Sequence, residues 1–357
     1  MSVKSGVTLT IKGRVAFAKN NWLQIEPGAK VIVDGGKLYN NCNENWEGIH
    51  IVGDPNKTQY PSANQGYHYL KNAEITNADV AVSTAALNAN GTINWSKTGG
   101  GIVVAVNSTF KNNKRHIEFM EYKKSNNYAG NFTNCVFGLN QTCPNNNISR
   151  MKEMTMVTAW GVQGIKFTGC EFKNPNGATN ADLANYNRGT GVFTLDATMQ
   201  VSGILNWQDC SINKQGLFNN LTTGIYSAQS PGYTLSGKTN IKNQKFEEDD
   251  KGIVMANGVT YNVYKNNFNL NVPSNYYNRS QSPSDLELGS TGIAEAARNY
   301  GQEHMPYSML SRSLAGLRGK SLIVALPGST RGAKESMDSL FPYLLHVFKV
   351  LDHPSHD

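Results

Sequence analysis

The sequence predicts a mainly β protein: a right-handed parallel β-helix over residues 1–283, followed by a small partial α/β segment over residues 284–357. Three observations predict it. Apolar and polar residues alternate in short runs, a phrase built on Asn and Phe recurs at irregular intervals, and the composition changes abruptly after Asn278.

The alternation starts at once. Val7, Leu9 and Ile11 alternate with Thr8, Thr10 and Lys12, the period of two of a half-buried strand. Strands are expected at Leu23–Ile25, Val31–Val33 and Ile49–Ile51, separated by turns at Pro27-Gly28, Gly35-Gly36 and Gly53. The repeated phrase follows at Ser108–Asn113, Asn134–Phe137, Gly169–Asn174, Asp209–Asn213 and Lys265–Phe268. Within it Cys135, Cys170 and Cys210 lie 35 and 40 residues apart, a period that suits a solenoid with loops of unequal length. The three cysteines keep one spacing to Phe137, Phe172 and Ile212, so all are expected to stack inward as small apolar residues. Asn at the corners tolerates a left-handed backbone and can ladder with Asn on the next rung.

Composition excludes several classes. Hydrophobic residues are 39% and charged ones 17%, yet 16 Tyr, 13 Phe and 34 Gly argue against a disordered chain. No apolar run approaches the ~20 residues of a membrane span, and no signal peptide is present as written, so the chain reads as cytoplasmic as written while the compartment stays open. Five Cys without a Cys-x-x-Cys argue against a zinc or redox motif. The net charge is +7, but the 7 basic and 8 acidic residues from Asp285 onward place the excess upstream, in singles and pairs such as Lys114-Arg115. That distribution predicts a solvated basic surface and no nucleic-acid partner.

A glycosidase needs two carboxylates about 5–9.5 Å apart. The one dense acidic cluster, Glu247–Asp250, reads as a solvated turn rather than a catalytic or calcium site. His50, His68 and His116 stand singly, without an acid or nucleophile nearby in sequence.

Near Ser280–Pro283 the vocabulary turns to Ala, Leu, Glu and Arg. Gly292–Gly301 reads as a short helix, and Ser321–Leu326 as a strand buried on both faces. Pro327-Gly328-Ser329 turns into a helix with Ala333, Met337, Leu340, Leu344, Val347 and Leu351 on one face, kinked at Pro342. Backbone N–H groups at such a turn favour an anion; Ser329 can cap the helix or donate to a phosphate, and Arg331 could add charge.

Two resemblances add to this reading. Ile25–Gly36, Cys42 and Trp46–Ile49 resemble the β-helical surface proteins of Bacteroidetes-type bacteria, which implies a secreted structural, adhesion or carbohydrate-contacting role. Pro306–Arg312, Ala315–Ser329 and Lys334–Lys349 resemble the end of a molybdopterin-binding domain of the molybdopterin adenylyltransferase (Mog/MoaB) family. That resemblance implies molybdenum cofactor biosynthesis, with molybdopterin, ATP and magnesium as ligands. It places Ser311, Arg312, Pro327, Gly328 and Ser329 near the pterin phosphate and nucleotide. The family's Gly-Gly-Thr-Gly loop and upstream acidic residues have no counterpart; Leu288–Gly292 imitates the loop but abuts the helix. A truncated domain inactive alone, a surface β-helix, and an artefactual join of two genes therefore stay open.

Overall fold

The computed structural model describes residues 1–40, 45–124, 129–139, 154–174, 188–206, 208, 211–233, 237–256, 258–270, 286–288, 315–318, 321–326 and 329–341. The fold is mainly β, with long parallel sheets. Its strands are short because corners interrupt them every few residues. The chain visits three sheets in fixed order: Ser2–Val3 in sheet A, Thr8–Ile11 in sheet B and Arg14–Ala16 in sheet C. It repeats that order through Lys251–Met255, Tyr261–Tyr264 and Asn267–Asn269, each strand pairing parallel with its equivalents on either side.

Alternation sets what faces inward. In sheet B, Val31, His68, Val103, Gly130 and Ile165 share one register row, and Val33, Leu70, Ala105, Phe132, Phe167 and Val201 another. In sheet C the phenylalanine of the repeated phrase forms a continuous stack. Phe110, Phe137, Phe172, Phe218, Phe246 and Phe268 are successive register partners. Their ring centroids lie 5.0, 4.7, 4.6, 4.9 and 4.8 Å apart, with interplanar angles of 7–10°. That spacing is the interstrand distance itself, so backbone pairing and ring stacking reinforce one another.

The corners behave as the Asn content requires. Gly35, Asn72, Asn107, Asn134, Gly169, Asn243 and Lys265 each follow a sheet B strand directly and each has positive φ. Asn77, Asn112, Asn220 and Glu248 do the same after sheet C. Side chains ladder between rungs, as from Asn134 Nδ2 to Asn107 Oδ1 at 2.9 Å and from Asn77 Nδ2 to the Asn40 carbonyl at 2.7 Å. Glycine is required at Gly48, where φ is +110° and an added Cβ would stand 1.7 Å from the Val80 carbonyl oxygen beside a register shift.

Several expectations need correction. Cys135 and Cys170 are buried as expected, while Cys210 lies outside the described residues. Ile212 does not take the next rung: it is 43% exposed on an antiparallel hairpin, Ile204–Leu205 with Ile212–Lys214. Phe218 fills that place. The strand at Ser321–Val324 is not buried on both faces between parallel neighbours. It pairs antiparallel with Ala315–Arg318, which reaches the Lys251–Met255 edge of sheet A through Leu286–Leu288, and Leu322 and Val324 are only half-buried. The described helix runs over Thr330–Leu340 and Phe341 is extended, the conformation favoured before proline; the kink expected at Pro342 lies outside the described residues. Gly292–Gly301 and residues 342–357, with Leu344, Val347 and Leu351, lie outside the described residues.

Truncating the centre of the stack should be costly. Phe137→Ala is expected to lower stability by about 3–5 kcal/mol, whereas Asn112→Gly, at a positive-φ corner, should be nearly neutral. Denaturant unfolding checks both; equal effects would contradict a continuous ladder.

Candidate functional site

The C-terminal turn is only partly described. Ser329 has extended dihedrals and its Oγ accepts from the Gly332 N–H at 3.1 Å, so the hydroxyl oxygen caps the helix. Arg331 Nε donates to Glu335 Oε1 at 2.8 Å, one helical turn on. Ser311, Arg312, Pro327 and Gly328 lie outside the described residues. What the described part offers does not fit a magnesium ion. Its hydroxyl oxygen caps the helix while the O–H stays able to donate, its cation is paired, and no group of three metal-capable side chains occurs among the described residues.

Glu247–Asp250 is not the solvated turn its sequence suggests. Asp249 is fully buried, its Oδ1 accepting from the Leu221 N–H at 2.8 Å while Oδ2 has no partner. Burial pushes its carboxyl well above the usual range; the Leu221 N–H and Arg188 pull against this, and Asp250 and Glu247 add to it. Arg188, which sequence reasoning missed, clasps the corner. It pairs with Asp250, donates to Asn220 Oδ1 at 2.8 Å and to the Leu221 carbonyl at 3.4 Å.

The histidines are not all without partners. His50, Ser83 and Glu118 are register partners on consecutive strands of sheet A, under the loop that follows Ser83. Ser83 Oγ donates to Glu118 Oε2 at 2.9 Å, and His50 Nδ1 lies 3.0 Å from the Ala85 carbonyl. A nucleophilic triad needs the imidazole between hydroxyl and carboxylate. Here the hydroxyl is in the middle, Ser83 is fully buried and Glu118 is also paired with Arg115. The row is a buried polar spine. His68 and His116 lie in the core, where burial lowers them to about 4 and about 3.

A concave surface lies beside the hairpin. The hairpin replaces the single left-handed residue that turns most described corners between sheets B and C, and Ile204 packs where a Gly169 side chain would stand. Between the hairpin and sheet C lies an open groove of about 500 Å³, lined by Glu171, Ile212, Lys214, Leu217, Lys245 and Glu247 among others. Lys214 Nζ reaches Glu171 Oε1 at 2.9 Å and Asn134 Oδ1 at 2.6 Å. Burial opposes it, but hydrogen bonds and charge from Lys173 and Lys214 hold the Glu171 carboxyl below its usual value. Lys245 and Glu247 are 3.8 Å apart and 46% and 39% exposed, which leaves both available. Register places Glu247 two strands beyond Glu171 and two residues along. Their backbones are thus roughly 12 Å apart, and Glu171 is doubly paired, so the two do not form a glycosidase pair.

Comparison with known proteins finds short similarities. The chain is 37% identical over 65 residues to a molybdenum cofactor biosynthesis bifunctional protein of Chlorobaculum tepidum, covering 18% of this chain and 21% of the relative. It is 39% identical over 51 residues to a molybdopterin adenylyltransferase of Helicobacter pylori, covering 14% and 29%. Gephyrin of Dictyostelium discoideum is 31% identical over 67 residues, covering 19% and 9%. The chain thus spans less than a third of each of these relatives, and the matches support a Mog/MoaB-like segment within it. No family profile and no solved structure matches the chain.

The buried imidazoles make acid the weak side of the fold. Each of His50, His68 and His116 is held below its ordinary value, first by burial. Their contribution is complete above the unfolded value of about 6.5 and is lost as pH falls toward the folded values. The unfolding midpoint should therefore drop steadily between about pH 6.5 and 4, with net proton uptake on unfolding. A flat midpoint over that range would show that the rings are solvated.

Proposed function

We propose that the chain joins a right-handed parallel β-helix, residues 1–283, to a molybdopterin-binding-type segment of molybdenum cofactor biosynthesis, residues 284–357. On this reading the second part does not transfer an adenylyl group by itself. The matches to a molybdenum cofactor biosynthesis bifunctional protein and a molybdopterin adenylyltransferase carry the assignment, over 18% and 14% of the chain and less than a third of each relative. Resemblance brings Ser311, Arg312, Pro327, Gly328 and Ser329 toward a pterin phosphate and nucleotide. Donors from one turn cannot hold the attacking and leaving groups in line. The repeated three-sheet order supports the β-helix.

A second reading, favoured by the groove beside Ile212, gives the β-helix a structural, adhesion or carbohydrate-contacting role. Available Lys245 and Glu247 supply a donor and an acceptor beside apolar Leu217 and Ile212.

Incubation of the purified chain with molybdopterin, magnesium and ATP should yield no adenylylated product. Turnover abolished by changing Ser311 or Ser329 would overturn that reading. Limited proteolysis should cut first between Asn275 and Gly292, a polar stretch containing Pro283. A first stable fragment ending well inside residues 7–268 would break the two-part division.

A further inference from the structure

Asp249 and Asn113 hold equivalent places on different rungs. Each lies three residues beyond a stacked ring, Phe246 or Phe110, and one beyond a left-handed corner, Glu248 or Asn112. Each reaches back to the preceding rung. Asn113 Oδ1 accepts the Ala78 N–H and Asp249 Oδ1 accepts the Leu221 N–H, both at 2.8 Å. Ala78 and Leu221 are in turn three residues beyond Ile75 and Phe218, the register partners of Phe110 and Phe246.

The second side-chain atom differs. Asn113 Nδ2 donates to the Ile75 carbonyl at 3.2 Å. At Asp249 that atom is Oδ2, buried and without a partner, and the equivalent acceptor is the Phe218 carbonyl. A carboxylate there would set oxygen against oxygen; a carboxylic acid can donate as the amide does.

We propose that Asp249 is a protonated carboxylic acid in the folded protein, donating from Oδ2 to the Phe218 carbonyl, and that its ionisation loosens the last rungs as pH rises. The surrounding charges agree. Glu247, Glu248 and Asp250 flank it along the chain, all acidic, with Lys251 beginning the next strand. The Arg188 guanidinium packs on the same corner but is bonded to Asp250, Asn220 and the Leu221 carbonyl. Asp249 joins Gln244–Glu247 to Lys251–Met255, so its charge state acts where the parallel stack nears its end.

The sign is that of a carboxyl raised by folding. Its contribution is complete below the unfolded value of about 3.9 and is lost as pH rises through the folded value. Between the two, each pH unit lowers the folding equilibrium constant about tenfold relative to a variant that cannot ionise.

The full chain and Asp249→Asn are compared by infrared spectroscopy and by unfolding across pH 4–9. The expected result is a protonated carboxyl band at neutral pH in the wild type, absent from the variant. Asp249→Asn should also gain stability relative to wild type as pH rises. Parallel stability curves, or no band attributable to Asp249, overturn the proposal. Where Asp249→Asn does not fold, the wild type labelled with carbon-13 aspartate decides alone: only carboxylate bands in the native protein at pH 7 overturn it.

Discussion

A strand that must pair with its equivalents above and below can be followed by another only if the chain turns a corner in the same way on every rung. That constraint rests on one backbone conformation. A residue with positive φ ends the strand, and eleven non-glycine residues with positive φ occur among the described residues, eight of them Asn. Left-handed backbone costs an ordinary L-residue roughly 1–2 kcal/mol, and Asn lessens this through local hydrogen bonding. The corners at Asn107, Asn134, Gly169, Asn243 and Lys265 each fall three residues before a stacked ring, which brings Phe110, Phe137, Phe172, Phe246 and Phe268 into register, while Phe218 joins the stack after the hairpin.

This constraint explains which parts of the fold were legible in the sequence. Asn112 after Phe110 and Asn220 after Phe218 share a spacing, so the phrase encodes ring and corner together. The hairpin escaped because Asp209–Asn213 mimics the phrase at a plausible interval, although Ile212 is exposed. The distinguishing signal was present: Phe218 with Asn220 repeats the ring-to-corner spacing, whereas Ile212 is followed at once by Asn213. Insertions defeat interval counting, but they do not change what a corner requires.

Charge and polarity were less legible, because burial depends on which corner a residue occupies. Glu247–Asp250 is acidic throughout, yet its members have different environments: Glu247 is part-exposed in a groove, Glu248 adopts positive φ, Asp249 is fully buried and Asp250 meets Arg188. Arg188 is 62 residues from Asp250 and no local pattern links them. The same holds for Ser83 and Glu118, which are neighbours only because 35 residues make one rung. Rung-to-rung equivalence recovers such partners where sequence proximity cannot, as the shared place of Asn113 and Asp249 shows.

The end of a parallel stack leaves a sheet edge whose N–H and C=O groups would otherwise invite association. Along sheet A this edge is met by Leu286–Leu288, Ala315–Arg318 and Ser321–Val324, all antiparallel. The apolar run Ser321–Leu326 was expected to need parallel neighbours, since such runs are commonest in sheets covered on both faces. Antiparallel pairing satisfies the same backbone groups with a hairpin and needs no crossover helix. An apolar strand can therefore find hydrogen-bonding partners at the edge of sheet A without parallel neighbours on both sides. Pairing of this kind holds a strand by its backbone alone and places no demand on which side chains it carries.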